Sequence, residues 1–213
     1  MIIAPSIFSS TLPGVRAYRL VLGALILLAI ATLWIPAAGQ GSPLASLNYF
    51  TIQSNLIAAA VLLWNAVRPP TAANLSRRDL IRGASVLYLA ITGIVYALLL
   101  SGYNAQVQGP MAAANLMLHY IAPLAVFADW LLVPPAPGLS FRRALTWTAY
   151  PLLYLAVALV RGAITGWYPY PFLDPAVAGG YGGVAVFSAV VMAGALGFIA
   201  LLVAVGRGVR GLL

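Results

Sequence analysis

"NYFTIQSNLIAAAVLLW", residues 48–64, reads as a membrane-spanning helix whose first third is crowded with polar side chains. Asn48, Thr51, Gln53, Ser54 and Asn55 fall within a few positions, and the rest of the stretch is apolar. Amides and hydroxyls cost free energy in hydrocarbon unless they are hydrogen-bonded. The apolar part places this stretch in a bilayer. The polar part asks for partners inside the protein.

The whole chain supports the membrane reading. Of its 213 residues, 63% are apolar and 7% charged, with a mean hydropathy of +0.99; a soluble domain carries roughly a quarter of its residues as charges. Six apolar runs lie near the roughly 20 residues that cross a bilayer as a helix. They predict helices at Ala17–Ile35, Leu47–Ala66, Gly83–Ser101, Ala114–Val133, Ala144–Ala163 and Gly183–Val205. Pro, Gly, Asn and Ser punctuate the gaps, as in "PAAGQGSP" and "RPPTAANLSRRD". Continuous runs of this length exclude the ten-residue alternation of a membrane β-barrel. The expected fold is all-α: a single transmembrane domain of six helices over residues 1–213.

Charge predicts the orientation. Arg16 and Arg19 lie at the start of the first helix, Arg68, Arg77, Arg78 and Arg82 between the second and third, Arg142 and Arg143 between the fourth and fifth, and Arg207 and Arg210 after the sixth. Arg161 alone is elsewhere, and the chain has no Lys. The positive-inside rule makes the Arg-rich side cytoplasmic, with both termini there. The net charge of +8 therefore reports orientation and not a nucleic-acid surface. The first apolar run, of about nineteen residues, exceeds the 7–15 of a secretory h-region, so it is expected to stay as a span. The expected location is a multi-pass position in a membrane, the cytoplasmic membrane of a bacterium.

With no Cys there is no disulfide or thiolate metal site, and with no Lys there is no Schiff base. No Gly-rich phosphate loop and no repeat of 20–50 residues appears. No cofactor, metal or nucleic-acid partner is expected.

Three polar features share one depth. Thr51 is expected about four residues into the second helix, roughly 6 Å from its outer end, and His119 about 7 Å into the fourth. Arg161 closes the outer end of the fifth. Asn48, Thr51, Ser54, Asn55 and Ala58 follow helical spacing and make one stripe, with Gln53 pointing elsewhere. Asn115, His119 and Ala122 share a face, and Pro123 predicts a kink beyond them. An ionisable side chain inside a membrane faces a bundle interior or a wet cavity, so an inward Thr51 can meet an inward His119. A hydroxyl beside an imidazole is the core of an activated nucleophile. Plainer readings stand beside this one. Thr51 has a competing partner in the Leu47 carbonyl; Gln53, Ser54 and Asn55 can be interhelical glue; His119 can be a structural, hydrogen-bonded residue; Arg161 can snorkel to the interface. Asp129, about 15 Å below His119, is expected to pair with Arg82 or Arg143.

"YFTIQSNL", "LHYIAPLAVFAD" and "GWYPYPFLD" resemble the androgen-induced-protein family and its six-helix bacterial relatives. Animal members of that family are membrane threonine hydrolases that cleave fatty acid esters of hydroxy fatty acids. The resemblance implies Thr51 as nucleophile and His119 as its base, with Pro123 and Asp129 completing the downstream pattern. The Gln-Ser-Asn after Thr51 is closer to the bacterial branch. On this reading a lipid is the substrate and acyl transfer runs through an ester on Thr51. Asn55 or Ser54 donates to the oxyanion, Arg161 holds a free carboxylate, and Asn115 and Tyr168 complete the binding set. Tyr168, Tyr170 and Asp174 lie where they can cover the site. Two other classes remain: a small transporter or channel lined by the second, fourth and fifth helices, and a non-enzymatic lipid-binding or scaffold protein.

Overall fold

A computed structural model describes residues 10–39, 43–104 and 108–212. The described residues contain no strand; six helices are long and apolar enough to cross a membrane, the architecture of a multi-pass integral membrane protein. They are α1 (Pro13–Gly39), α2 (Phe50–Val67), α3 (Leu75–Tyr103), α4 (Gly109–Leu132), α5 (Phe141–Thr165) and α6 (Gly180–Leu212). Burial ranks them. Of the α2 span 61% is buried, against 11% for α5, so the helix with the polar start is the centre of the bundle.

All six starts differ from expectation, and two of the shifts have a physical reason that bears on the site. α3 begins at Leu75 rather than Gly83, because Arg78, Asp79 and Arg82 are helical and buried in partners instead of marking a loop. α2 begins at Phe50 rather than Leu47; residues Pro43–Asn48 form a separate 3-10 turn, which puts Thr51 in the first helical turn.

At the Arg-rich end, α1, α3 and α4 are clamped by one carboxylate. Asp129 accepts from Arg19 through Oδ1 at 2.5 Å and Oδ2 at 3.2 Å, and from Arg82 Nη2 at 3.1 Å. Arg82 also donates to Asp79 Oδ1 at 2.9 Å and to the Val133 carbonyl at 2.8 Å, while Asp79 Oδ2 takes the Ala136 amide at 2.7 Å. Two arginines and two aspartates balance, and every one is buried. Arg19, expected at the head of the first helix, lies inside it with 0% exposure. Of the two arginines expected for Asp129, Arg82 is the partner; Arg143 is exposed and donates to Ser76 and the Gly138 carbonyl. Arg16 and Arg78 satisfy the last carbonyls of α2, at Ala66 and Arg68, where a helix end favours positive charge.

At the opposite end α4 widens. Pro123 has no N–H for the carbonyl of His119, and the turn Met117–Ile121 just before it is π-helical, a local widening that proline and functional sites both favour. α3 carries a matching π turn at Tyr96–Leu100. The two helices approach closely at Gly93, where a Cβ would come within 2.9 Å of the His119 carbonyl oxygen.

Asp129→Asn should strand the buried Arg19 guanidinium, leave Arg82 with Asp79 alone, and cost about 3–5 kcal/mol. Arg143→Gln, at an exposed pairing, should change stability by less than about 0.5 kcal/mol. Thermal unfolding of the purified variants in detergent checks both; equal midpoints for the two would contradict the clamp.

Candidate active site

Thr51 is the second residue of α2, whose capping residue is Tyr49. The amides of Ile52 and Gln53 both reach back to the Tyr49 carbonyl, at 3.2 and 3.3 Å. The amide of Thr51 has no carbonyl within the helix and instead donates to the Tyr170 hydroxyl at 3.3 Å. A helix start thus places an N–H with no intrahelical acceptor beside the Thr51 hydroxyl.

The hydroxyl itself faces α4. Thr51 Oγ1 lies 3.3 Å from His119 Nε2, and His119 Nδ1 lies 3.0 Å from the Asn115 carbonyl. A carbonyl only accepts, so that contact places the proton on Nδ1 and leaves Nε2 with its lone pair toward Thr51. This is the tautomer a general base requires. No carboxylate orients the ring; a backbone carbonyl one turn earlier does, aided by the Tyr96 ring stacked at 3.8 Å between centroids.

The other expected residues separate into supporting and remote. Ser54 and Asn55 have 0% exposure and line neither cavity beside Thr51. Ser54 Oγ pairs with Thr92 Oγ1 at 2.8 Å, and Asn55 Nδ2 donates to the carbonyls of Thr51 and Leu118 at 2.9 and 3.2 Å. They fasten α2 to α3 and α4, and their geometry does not support the expected oxyanion role. Asn115 lines one of the cavities beside Thr51, but its amide donates to Tyr96 Oη at 2.6 Å, locking the ring that supports His119. Gln53 points to α5, accepting from Tyr150 at 2.6 Å and holding the Leu47 carbonyl that Thr51 was expected to compete for.

Arg161 stacks on Trp167, 4.8 Å from the ring centroid, and lies in a groove on the outer face of α5 with Val157 and Ile164. It is not among the residues lining the cavities at Thr51. Tyr168 packs on Gly162 and meets Tyr181 at 3.4 Å, also apart from the site. Asp174 caps the short helix Pro175–Ala178.

The loop residue that enters the site is Tyr170. Its hydroxyl sits at the start of α2, its ring meets Tyr49 edge-on at 5.9 Å and stacks on Phe172 at 5.3 Å, and burial raises its phenol pKa above the ordinary value. It therefore remains an O–H donor. "YPYP" marked the loop; the contact with Thr51 across more than a hundred residues left no local signal.

No protein-family model, no curated protein and no solved structure matches this chain.

The chain has a single His, so ¹⁵N-histidine labelling gives one imidazole in the spectrum. At pH 7 its Nδ1 should carry the proton and Nε2 should not; the opposite tautomer would remove the basis for a Thr51–His119 pair.

Proposed function

We propose that this protein is a membrane-embedded hydrolase of lipid esters, with Thr51 as nucleophile and His119 as general base. The observation that carries the reading is the 3.3 Å approach of Thr51 Oγ1 to a His119 Nε2 left free to accept. The distance is longer than an optimal O–H···N bond, as catalytic contacts often are without substrate.

The chemistry is set by the groups present. Thr51 Oγ attacks the ester carbonyl while Nε2 takes its proton, leaving a tetrahedral oxyanion. The Thr51 amide and the Tyr170 hydroxyl lie beside the attacking oxygen and are suited to donate to that oxyanion. Nε2 then returns the proton to the departing alcohol, and an acyl group remains on Thr51. A water, deprotonated by Nε2, attacks this second ester; the acid leaves and Thr51 recovers its proton.

The resemblance to the androgen-induced-protein family supports the same two residues and hydrolysis of a lipid ester. The arginine distribution supports a topology with the Arg-rich end and both termini cytoplasmic, and the site near the outer surface of a bacterial cytoplasmic membrane.

Incubation with a fluorophosphonate probe should give an adduct on Thr51. Thr51→Ala and His119→Ala should each lower ester turnover at least about a hundredfold, and the double variant should be hardly worse, because the two act as a unit. A well-folded Thr51→Ala with wild-type rates would sink the proposal. A reporter fused at the C-terminus should be active on the cytoplasmic side, and one inserted near Asp174 on the other; a cytoplasmic signal at Asp174 reverses the topology.

A further inference from the structure

Two cavities meet at Thr51. One, of about 470 Å³, is bordered by His119, Asn115, Tyr49 and Tyr103. The other is a slot of about 90 Å³ between α3, α5 and α6, bordered by Ile91, Tyr154, Val191 and Ala195. Thr51, Leu100 and Tyr170 border both, so the partition between them contains the proposed nucleophile.

The slot backs onto the lipid-facing surface. Ile91, Val95, Val191 and Ala195 also border a groove of about 310 Å³ between α3 and α6. That groove includes the exposed apolar residues Ile94, Leu98, Val186 and Val190, all within membrane-spanning segments. An apolar wall shared by slot and groove therefore lies between the Thr51 hydroxyl and lipid at the seam of α3 and α6. The residues on both sides of that wall suit a hydrocarbon chain.

Charge is missing from both cavities. Among the described residues, no Arg and no acid borders either one. Residues 1–9, 40–42, 105–107 and 213, outside the described ones, contain no charged side chain either. The slot's polar side chains carry neutral hydroxyls: those of Thr51, Thr92, Tyr154 and Tyr170, and Ser188 Oγ, which is buried without a hydrogen-bond partner. A carboxylate or phosphate drawn into such a site loses its hydration and finds no cation in return. Arg161, the one arginine away from the Arg-rich end, is turned to the outer face of α5 and stacked on Trp167.

We infer that the site takes a neutral lipid ester. Its acyl chain enters sideways from the bilayer between α3 and α6 and lies in the slot, and its uncharged alcohol half occupies the wide cavity. This rests on the hydrolase reading for the placement of the ester carbonyl at Thr51, but chain and charge selectivity are measurable without turnover.

The test uses the full-length protein in nanodiscs and a long-chain monoacylglycerol carrying a diazirine near the chain end. After irradiation, the adduct should map by mass spectrometry to α3 and α6 around Ile91 and Val191. Excess unlabelled monoacylglycerol should displace it. An ester of equal chain length bearing a free carboxylate should need at least tenfold more. Val191→Trp, which narrows the slot, should weaken labelling at least tenfold. Adducts confined to the wide cavity or to the outer face of α5, equal displacement by the carboxylate-bearing ester, or no displaceable adduct at all overturns the inference. Correct adducts on a protein whose Thr51 neither reacts nor turns over would support the binding site and remove the hydrolase reading. Turnover at Thr51 with adducts elsewhere would do the reverse.

Discussion

Burying charge in a membrane protein is tolerable only when each charge is answered, and Asp129 answers two. Its carboxylate joins Arg19 of α1 and Arg82 of α3 to α4, and Asp79 completes a neutral set. Neither guanidinium has water to return to, so neither α1 nor α3 can withdraw without stranding a charge. Three helices are thereby fixed against one another at one end. The opposite end, where α4 widens and cavities open, is left without ionic contacts of that kind.

That division of labour has a physical logic. The Arg-rich end has little free volume around Asp129. The other end is held by neutral contacts: Ser54 with Thr92, Asn55 with two carbonyls, Asn115 with Tyr96, Tyr154 with the Asn48 carbonyl. Neutral hydrogen bonds cost less to bury than charges and leave room for a lipid. A helix start supplies polar donors to a membrane interior without any charged side chain, because its first amides have no intrahelical acceptor. Thr51 stands at such a start, and its amide donates to the Tyr170 hydroxyl.

The π turn before Pro123 ties the sequence to the site. Proline removes one hydrogen bond from α4, and the widened turn carries His119. Gly93 then allows α3 to approach the freed carbonyl. A side chain at that position would separate α3 from α4 and move the Tyr96 ring off the imidazole it supports.

Six apolar runs, the clustering of arginines and the periodicity of Thr51 and His119 were legible in the sequence, because bilayer thickness and helical pitch act locally and leave regular marks. Hydropathy misplaced the start of α3, since a charge that finds its partner inside the fold looks the same in sequence as one in a loop. It also placed Thr51 too deep, since a 3-10 turn and an α-helix share one apolar pattern. Ser54, Asn55 and Arg161 stand out in the sequence as polar residues in unusual places. What each one faces depends on neighbours from other helices, and no spacing rule encodes those. The sequence by itself determined that this chain has six stretches long and apolar enough to cross a membrane, and that Thr51 and His119 lie where they can meet. Only the tertiary structure decided that Asn115 contributes a backbone carbonyl to His119, that Tyr170 rather than Tyr168 reaches Thr51, and that Arg161 turns away. Those outcomes depend on which groups meet across helix interfaces, where hydrogen-bond direction and burial are settled by packing rather than by position along the chain.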